Sequence, residues 1–178
     1  MDTLIYRKIE KKELNRTLFQ KFQRRQNVTK ALRRDGDDWV AKDAAFIDDW
    51  SEADYEELLK CLEHTLSTGG MIFGAFEGPY VKGFVSIEGI PLGMRRNYLD
   101  LSSLHVSREC RGRGVGTRLF HMAAGWALAK GGEKLYISAH SAIESQLFYQ
   151  AMGCVDAEEP NKEHVAKEPF DRQLEYVL

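Results

Sequence analysis

The spacing of hydrophobic and polar positions changes several times along the chain, and each change marks an element. Residues 3–9 read as a short first strand. In the basic stretch that follows, Leu14, Leu18, Phe19 and Phe22 recur at helical spacing, which predicts an amphipathic helix within residues 11–22. From 23 to 50 the periodicity fades. A basic run ends at Arg34, the sign flips at Asp35, Asp37 and Asp38, and acidic residues then alternate with Trp39, Phe46 and Trp50. This segment reads as a mobile loop or short helices. Ser51 reads as a helix N-cap with Asp54 three residues on, ahead of the stripe Tyr55, Leu58, Leu59, Leu62 and Leu66. Gly69-Gly70 stops that helix. Met71–Phe76 and Val81–Ile90 read as strands joined by the turn Glu77-Gly78-Pro79, and Tyr98–Val106 as a third strand of the same sheet. A glycine-rich turn at 112–116 opens a helix with the stripe Leu119, Met122, Ala123 and Trp126. Lys134–Ser138 follows as a strand, Ala142–Met152 as a helix, and an alternating tail from Arg172 as a terminal strand. Helices interleaved with strands in this order predict an α/β fold, a mixed and largely antiparallel sheet flanked by helices.

Composition narrows the classes. A chain of 178 residues fits one domain, since domains run to roughly 100–200 residues. The 25 Lys and Arg against 27 Asp and Glu leave a formal charge of −2, which argues against nucleic-acid binding driven by net basicity. The 43% hydrophobic and 29% charged content excludes a disordered chain, and no apolar run approaches the roughly 18–20 residues of a membrane span. Met1-Asp2-Thr3 shows no basic n-region leading into an apolar stretch, so no signal peptide is expected. Three scattered cysteines, Cys61, Cys110 and Cys154, fit reduced thiols in a cytoplasmic protein. No metal-ligand spacing is present, so no metal is expected.

The informative chemistry lies at Arg111-Gly112-Arg113-Gly114-Val115-Gly116-Thr117-Arg118, where a strand gives way to a helix. Glycines let backbone N–H groups approach an anion closely. The helix N-terminus adds unpaired donors and a positive dipole end. The three arginines add charge, and together these features suit a pyrophosphate. A Walker loop needs Lys and then Ser/Thr after its last glycine, and here Gly116 is followed by Thr117-Arg118. A dinucleotide fingerprint has the spacing GxGxxG early in the chain, whereas this motif is GxGxG and late.

The stretch resembles the acyl-CoA signature of the GNAT superfamily of N-acetyltransferases, Arg/Gln-x-x-Gly-x-Gly/Ala, with Arg111, Gly114 and Gly116 at the matching positions. Leu147-Phe148-Tyr149-Gln150-Ala151-Met152-Gly153 is similar to that family's C-terminal helix, in which a Tyr stands four residues before a Gly. The resemblance covers residues 71–155 and implies a GNAT-like fold. It would divide the chain into an acceptor-side region at about 10–70, an acyl-CoA core at about 71–155 and C-terminal strands at 156–178. Two departures stand out: Ala142 where many members carry Asn, and Cys154 where an aromatic is usual. A polar contact made by that Asn would have to come from Ser141 or Ser145.

The resemblance implies acetyl-CoA as the acyl donor, no metal, and acetyl transfer to a primary amine of a small molecule. A protein or peptide amine is the alternative acceptor, and a non-catalytic acyl-CoA sensor is the alternative outside enzymes. The backbone of Leu104, His105 and Val106 would pair with the pantetheine arm. Residues 111–118 and Ser145 would hold the rest of the cofactor. Tyr149 would protonate the leaving thiolate, a role that suits a phenol. Asp100 or Glu88 would supply the base, with His105 and His140 as further candidates to shuttle a proton. The acids Asp35, Asp37, Asp38, Asp48 and Asp49, near Trp39 and Trp50, could draw in a cationic amine or form a solvated loop. No nucleic-acid or membrane partner is expected, and the oligomer expected is a monomer or homodimer.

Overall fold

The computed structural model describes residues 3–178; Met1 and Asp2, part of the N-terminal triplet read above, lie outside them. The chain runs β1 (Ile5–Lys8), β2 (Gln26–Asp35), β3 (Asp38–Asp48), α1 (Glu52–Ser67), β4 (Met71–Glu77), β5 (Tyr80–Ile87), β6 (Tyr98–Val106), α2 (Val115–Ala129), β7 (Lys134–Ala139), α3 (Ile143–Met152), β8 (Val155–Asp156), α4 (Lys162–Lys167) and β9 (Arg172–Val177). Seven strands form one sheet in the order β1-β4-β5-β6-β7-β9-β8, and β2 and β3 form a separate two-stranded ribbon. Every neighbour pair in the large sheet is antiparallel except β6 with β7.

Burial explains the sheet's position. All seven residues from Val81 to Ile87 are buried, as expected of a strand covered on both faces. On one face Val85 and Ile87 pack with Leu119, Phe120 and Ala123 of α2. On the other, Phe84 packs with Phe19 and Phe22, and Tyr55 and Leu62 of α1 join the same cluster. α1 begins where the sequence indicates. The Ser51 side chain accepts a bond from the Asp54 N–H (3.3 Å), and the Asp54 carboxylate accepts one from the Ser51 N–H (2.7 Å), closing a capping box.

Two N-terminal expectations need correction. Residues 11–22 are not one helix. They form two 3₁₀ turns, Lys11–Glu13 and Arg16–Phe19, interrupted at Leu14-Asn15, where Asn15 caps the second turn. Leu14, Leu18, Phe19 and Phe22 are nevertheless all buried, so the apolar face was correct and only the backbone differs. Residues 23–50 are neither a loop nor short helices but the β2–β3 hairpin, turning at Gly36-Asp37 with Gly36 at φ +63°. A register shift between Val28 and Lys30 disrupts the alternation, so the buried β2 residues are Val28, Ala31 and Leu32, a spacing that mimics a helix. At the C-terminus, β8 and α4 precede the expected strand β9.

One feature of the sheet positions the site. β6 and β7 pair only over Tyr98–Asp100 and Lys134–Tyr136. Beyond Asp100, β6 continues against β5 alone, and β7 against β9 alone. The sheet therefore opens into a wedge between the two strands.

Candidate active site

A cavity of about 520 Å³ fills this wedge. Leu101–Val106 of β6 form one wall, and Ser138 and His140 from the end of β7 face them. Ser145, Phe148 and Tyr149 of α3 close the far side, and Arg24–Asn27 at the start of the hairpin close the near side. The backbone of β6 here lacks a neighbouring strand on the β7 side, so its N–H and C=O groups are available to an extended ligand.

The glycine turn lies at the end of that wall. Gly114 stands at the N-cap of α2 with φ +77°, a conformation that costs any side-chain-bearing residue energy. It has no side chain with which to cap the helix. The first α2 bond runs from the Arg118 N–H to the Gly114 carbonyl (3.0 Å), which leaves the N–H groups of Val115, Gly116 and Thr117 outside the helical ladder. A Cβ on Gly116 would meet the Phe148 ring at 3.3 Å, so the close approach of α2 to the cavity wall favours glycine there. This uncapped turn is suited to an anion such as a pyrophosphate.

The arginines divide their work. Arg113 is exposed, and Arg118 stacks over Tyr6 at 3.9 Å. Arg111 donates instead to three backbone carbonyls: Val106 from Nε (3.0 Å), Arg25 (3.2 Å) and Arg24 (2.8 Å) from its terminal nitrogens. It ties the end of β6 to the chain entering β2 and so holds two cavity walls together.

Tyr149 is buried and lines the cavity, and its hydroxyl has no hydrogen-bond partner among the described residues. Burial, then the nearby Cys154 and Asp171, push its pKa far above that of a free phenol, so it stays protonated. His105 packs edge-on to Trp50 (4.8 Å) and against Phe84 (5.5 Å). Burial, followed by the positive fields of Arg24, His140 and Arg111, pushes its pKa down to about 3, so the ring stays neutral. His140 lies 3.7 Å from Asp48.

Neither carboxylate lines the cavity directly. Asp100 is buried at the apex of the wedge and pairs with His164 of α4 at 2.7 Å. Its other oxygen, Oδ1, is buried without a partner. Glu88 accepts from Thr65 of α1 (2.7 Å) and from Ser102 (2.6 Å), and Ser102 does line the cavity. The hairpin acids are dispersed. Asp35, Asp37 and Asp38 sit at its exposed tip, Asp49 accepts from the Trp50 N–H (2.9 Å), and Asp48 pairs with the buried Arg24. Trp39 lies under Arg34 and Arg172, while Trp50 stacks on Phe22.

Comparison with known proteins fits this geometry. The family model for the acetyltransferase (GNAT) family matches residues 24–154, most of the chain. The chain belongs to the GNAT acetyltransferase family. Solved structures agree on the fold. A Bacillus anthracis protein described as a streptothricin acetyltransferase, in complex with acetyl coenzyme A, is 18% identical with a TM-score of 0.69, over 99% of this chain and 98% of that one. A nourseothricin acetyltransferase is 13% identical with a TM-score of 0.68, over 98% and 96%. An IAA acetyltransferase from Bacillus cereus is 16% identical with a TM-score of 0.57, over 99% and 100%. No curated protein matches the sequence at a significant level.

As a member of the acetyltransferase (GNAT) family, the protein is an acyltransferase, and the Bacillus anthracis neighbour is in complex with acetyl coenzyme A. The residues present suit that substrate: a split strand with free backbone groups, an uncapped helix start and a phenol over the cavity. No helix among the described residues is long and apolar enough to cross a membrane. Of the residues singled out in the sequence, Leu104, His105, Val106, Arg111, His140, Ser145 and Tyr149 share the cavity wall. Gly116 packs behind Phe148 and Val106, which also line it. Sequence reasoning missed Ser102, Arg24 and Ser138. The interrupted alternation at Leu101-Ser102-Ser103-Leu104 is a bulge signal that could have located the first.

Proposed function

We propose that this protein transfers the acetyl group of acetyl-CoA to a primary amine of a small molecule, with Tyr149 as the acid that protonates the departing thiolate and a carboxylate, Glu88 or Asp100, as the proton sink. The observation that carries the small-molecule reading is the β2–β3 hairpin. Its entry lines the near side of the cavity, and its far part is bonded beside α3. Arg111 fastens its entry to β6, while the Leu32 N–H donates to the Ser141 carbonyl (2.8 Å) and Arg33 to the Ser141 hydroxyl (2.9 Å) beside α3. A hairpin anchored on both sides, with its first residues lining the cavity, narrows the approach and favours a small acceptor over an extended peptide. Two neighbours that share almost the full length of the chain, the proteins described as streptothricin and nourseothricin acetyltransferases, lend support.

In this reading the thioester carbonyl lies against the free β6 backbone near Leu104–Val106, where an N–H can take the developing negative charge. The neutral amine attacks the carbonyl carbon, the C–N bond forms and the C–S bond breaks, the thiolate takes the Tyr149 proton, and the proton shed by the new amide nitrogen restores the Tyr149 phenol. Free-thiol release from acetyl-CoA, measured with a panel of polyamines, aminoglycosides, amino acids and lysine peptides, tests the proposal. Release that depends on a small amine supports it. Release only with peptides would replace the acceptor class.

A further inference from the structure

We infer that Ser102, placed by a bulge in β6, is the proton-relay residue that connects the acceptor amine to Glu88. This deepens the amine-acetylation reading above and rests on it. The β5–β6 register shifts between Ser86 and Ile87: Ser86 faces Ser103, Ile87 faces Leu101, and Ser102 is left without a cross-strand partner. Bulges redirect side chains beside active sites. Here the extra residue is an exposed serine on the cavity wall. Its hydroxyl lies 2.6 Å from Glu88 and 2.8 Å from the buried Ser86 hydroxyl. Glu88 is held in turn by Thr65 at 2.7 Å, and its N–H donates to the Asp100 carbonyl at 2.8 Å. The carboxylate is therefore fixed outside the cavity, and Ser102 is its hydrogen-bonded link to the cavity. Asp100 is engaged with His164 and makes no such link.

The balance is simple. An ammonium acceptor passes one proton to Ser102 Oγ as the Ser102 hydroxyl proton moves to Glu88 Oε1, leaving a neutral amine and a neutral carboxylic acid. Glu88 is partly exposed and can return the proton to water. Ser86 donates to Ser102 throughout, using the second acceptor site of that hydroxyl. The ionisable groups shown near Glu88 are Asp100 on β6, whose carbonyl accepts from the Glu88 N–H, and Cys61 on α1, which in turn feels Glu57 of α1 and Lys167 of α4. The Cys61 thiol is raised by burial first and then by Glu57 and Glu88, with Lys167 opposing.

The test compares wild type, Ser102→Ala, Ser102→Thr and Glu88→Gln in acetyl transfer over pH 6–10. One acceptor is the alkylamine found by the thiol-release panel. The other is hydroxylamine, which is already unprotonated at neutral pH. With the alkylamine at neutral pH, Ser102→Ala and Glu88→Gln each slow turnover on the order of 10²-fold, and Ser102→Thr stays within about threefold of wild type. The Ser102→Ala deficit closes as pH rises toward the amine pKa, because free amine then arrives without help. With hydroxylamine the deficit stays below about threefold. A loss that is equal at every pH and with both acceptors assigns Ser102 a structural role and overturns the relay. A wild type active with alkylamines whose rate neither substitution changes overturns the relay alone. A wild type that acetylates no amine overturns the amine reading and the relay together.

Discussion

At the scale of single residues, the site depends on groups whose surroundings fix their chemistry. The Tyr149 side chain is buried at the cavity wall, its hydroxyl has no hydrogen-bond partner among the described residues, and desolvation holds it protonated. Tyr149→Phe removes the proton and little volume. We expect turnover to fall on the order of 10²-fold with the KM for acetyl-CoA almost unchanged, as steady-state kinetics will show. A rise in KM with turnover unchanged would mean the phenol binds the donor and does not assist the leaving group. Gly114→Ala forces a side chain to φ +77° at the start of α2. It should cost about 1–2 kcal/mol of stability by denaturant melts and weaken acetyl-CoA binding in calorimetry. The place of Tyr149 on the cavity wall was anticipated by a local pattern, a Tyr four residues before a Gly on one short helix that resembles the family's C-terminal helix. The tethering role of Arg111 was not, because its carbonyl partners Arg24 and Arg25 lie 87 and 86 residues away in the chain.

At the scale of elements, the β2–β3 hairpin separates this chain's site from a bare split sheet. Its attachment depends on an ion pair. Arg24 is buried, Asp48 is its charged partner, and the Arg24 guanidinium lies 5.3 Å over Trp50. Asp48→Ala would leave a buried cation uncompensated, which costs about 3–5 kcal/mol, so urea melts should show a loss of that order. Replacing both residues, Arg24→Met with Asp48→Leu, should recover most of it in the same melts. A single substitution with no effect would mean the pair is open to water. The hairpin was also the element hardest to read. Its Asp35-Gly36 turn signal was present, but the bulge near Thr29 put buried residues at helical spacing and hid the alternation. α1, by contrast, carried its own capping box and stripe and was legible to the residue. Elements that carry their start and stop signals within a few residues can be read from sequence. Elements defined by distant pairing cannot.

At the scale of the molecule, the fold divides at the point where β6 leaves β7, and the Asp100–His164 pair marks that point. Asp100 is the last β6 residue paired with β7, and His164 reaches it from α4 while its ring stacks on Tyr136 (5.5 Å). The pair ties the C-terminal segment to the apex of the wedge. The hydrogen bond that His164 donates to Asp100 raises the His164 pKa, burial opposes this, and the Asp100 charge adds to it; Lys167 lowers it and Glu163 raises it. A histidine whose folded pKa exceeds its unfolded value of about 6.5 stabilises the fold fully below that value. The contribution then disappears as pH climbs through the folded pKa. The stability gap between wild type and His164→Gln should therefore be widest near pH 5.5 and narrow steadily toward pH 9, when unfolding midpoints of both are followed across that range. Shared titrations of the remaining groups cancel in this difference, so the slope belongs to the pair. A gap that stays flat would show an imidazole neutral throughout, acting only by stacking on Tyr136. A gap that widens with pH would place the pKa shift in the opposite direction and remove the ion pair from the apex of the wedge.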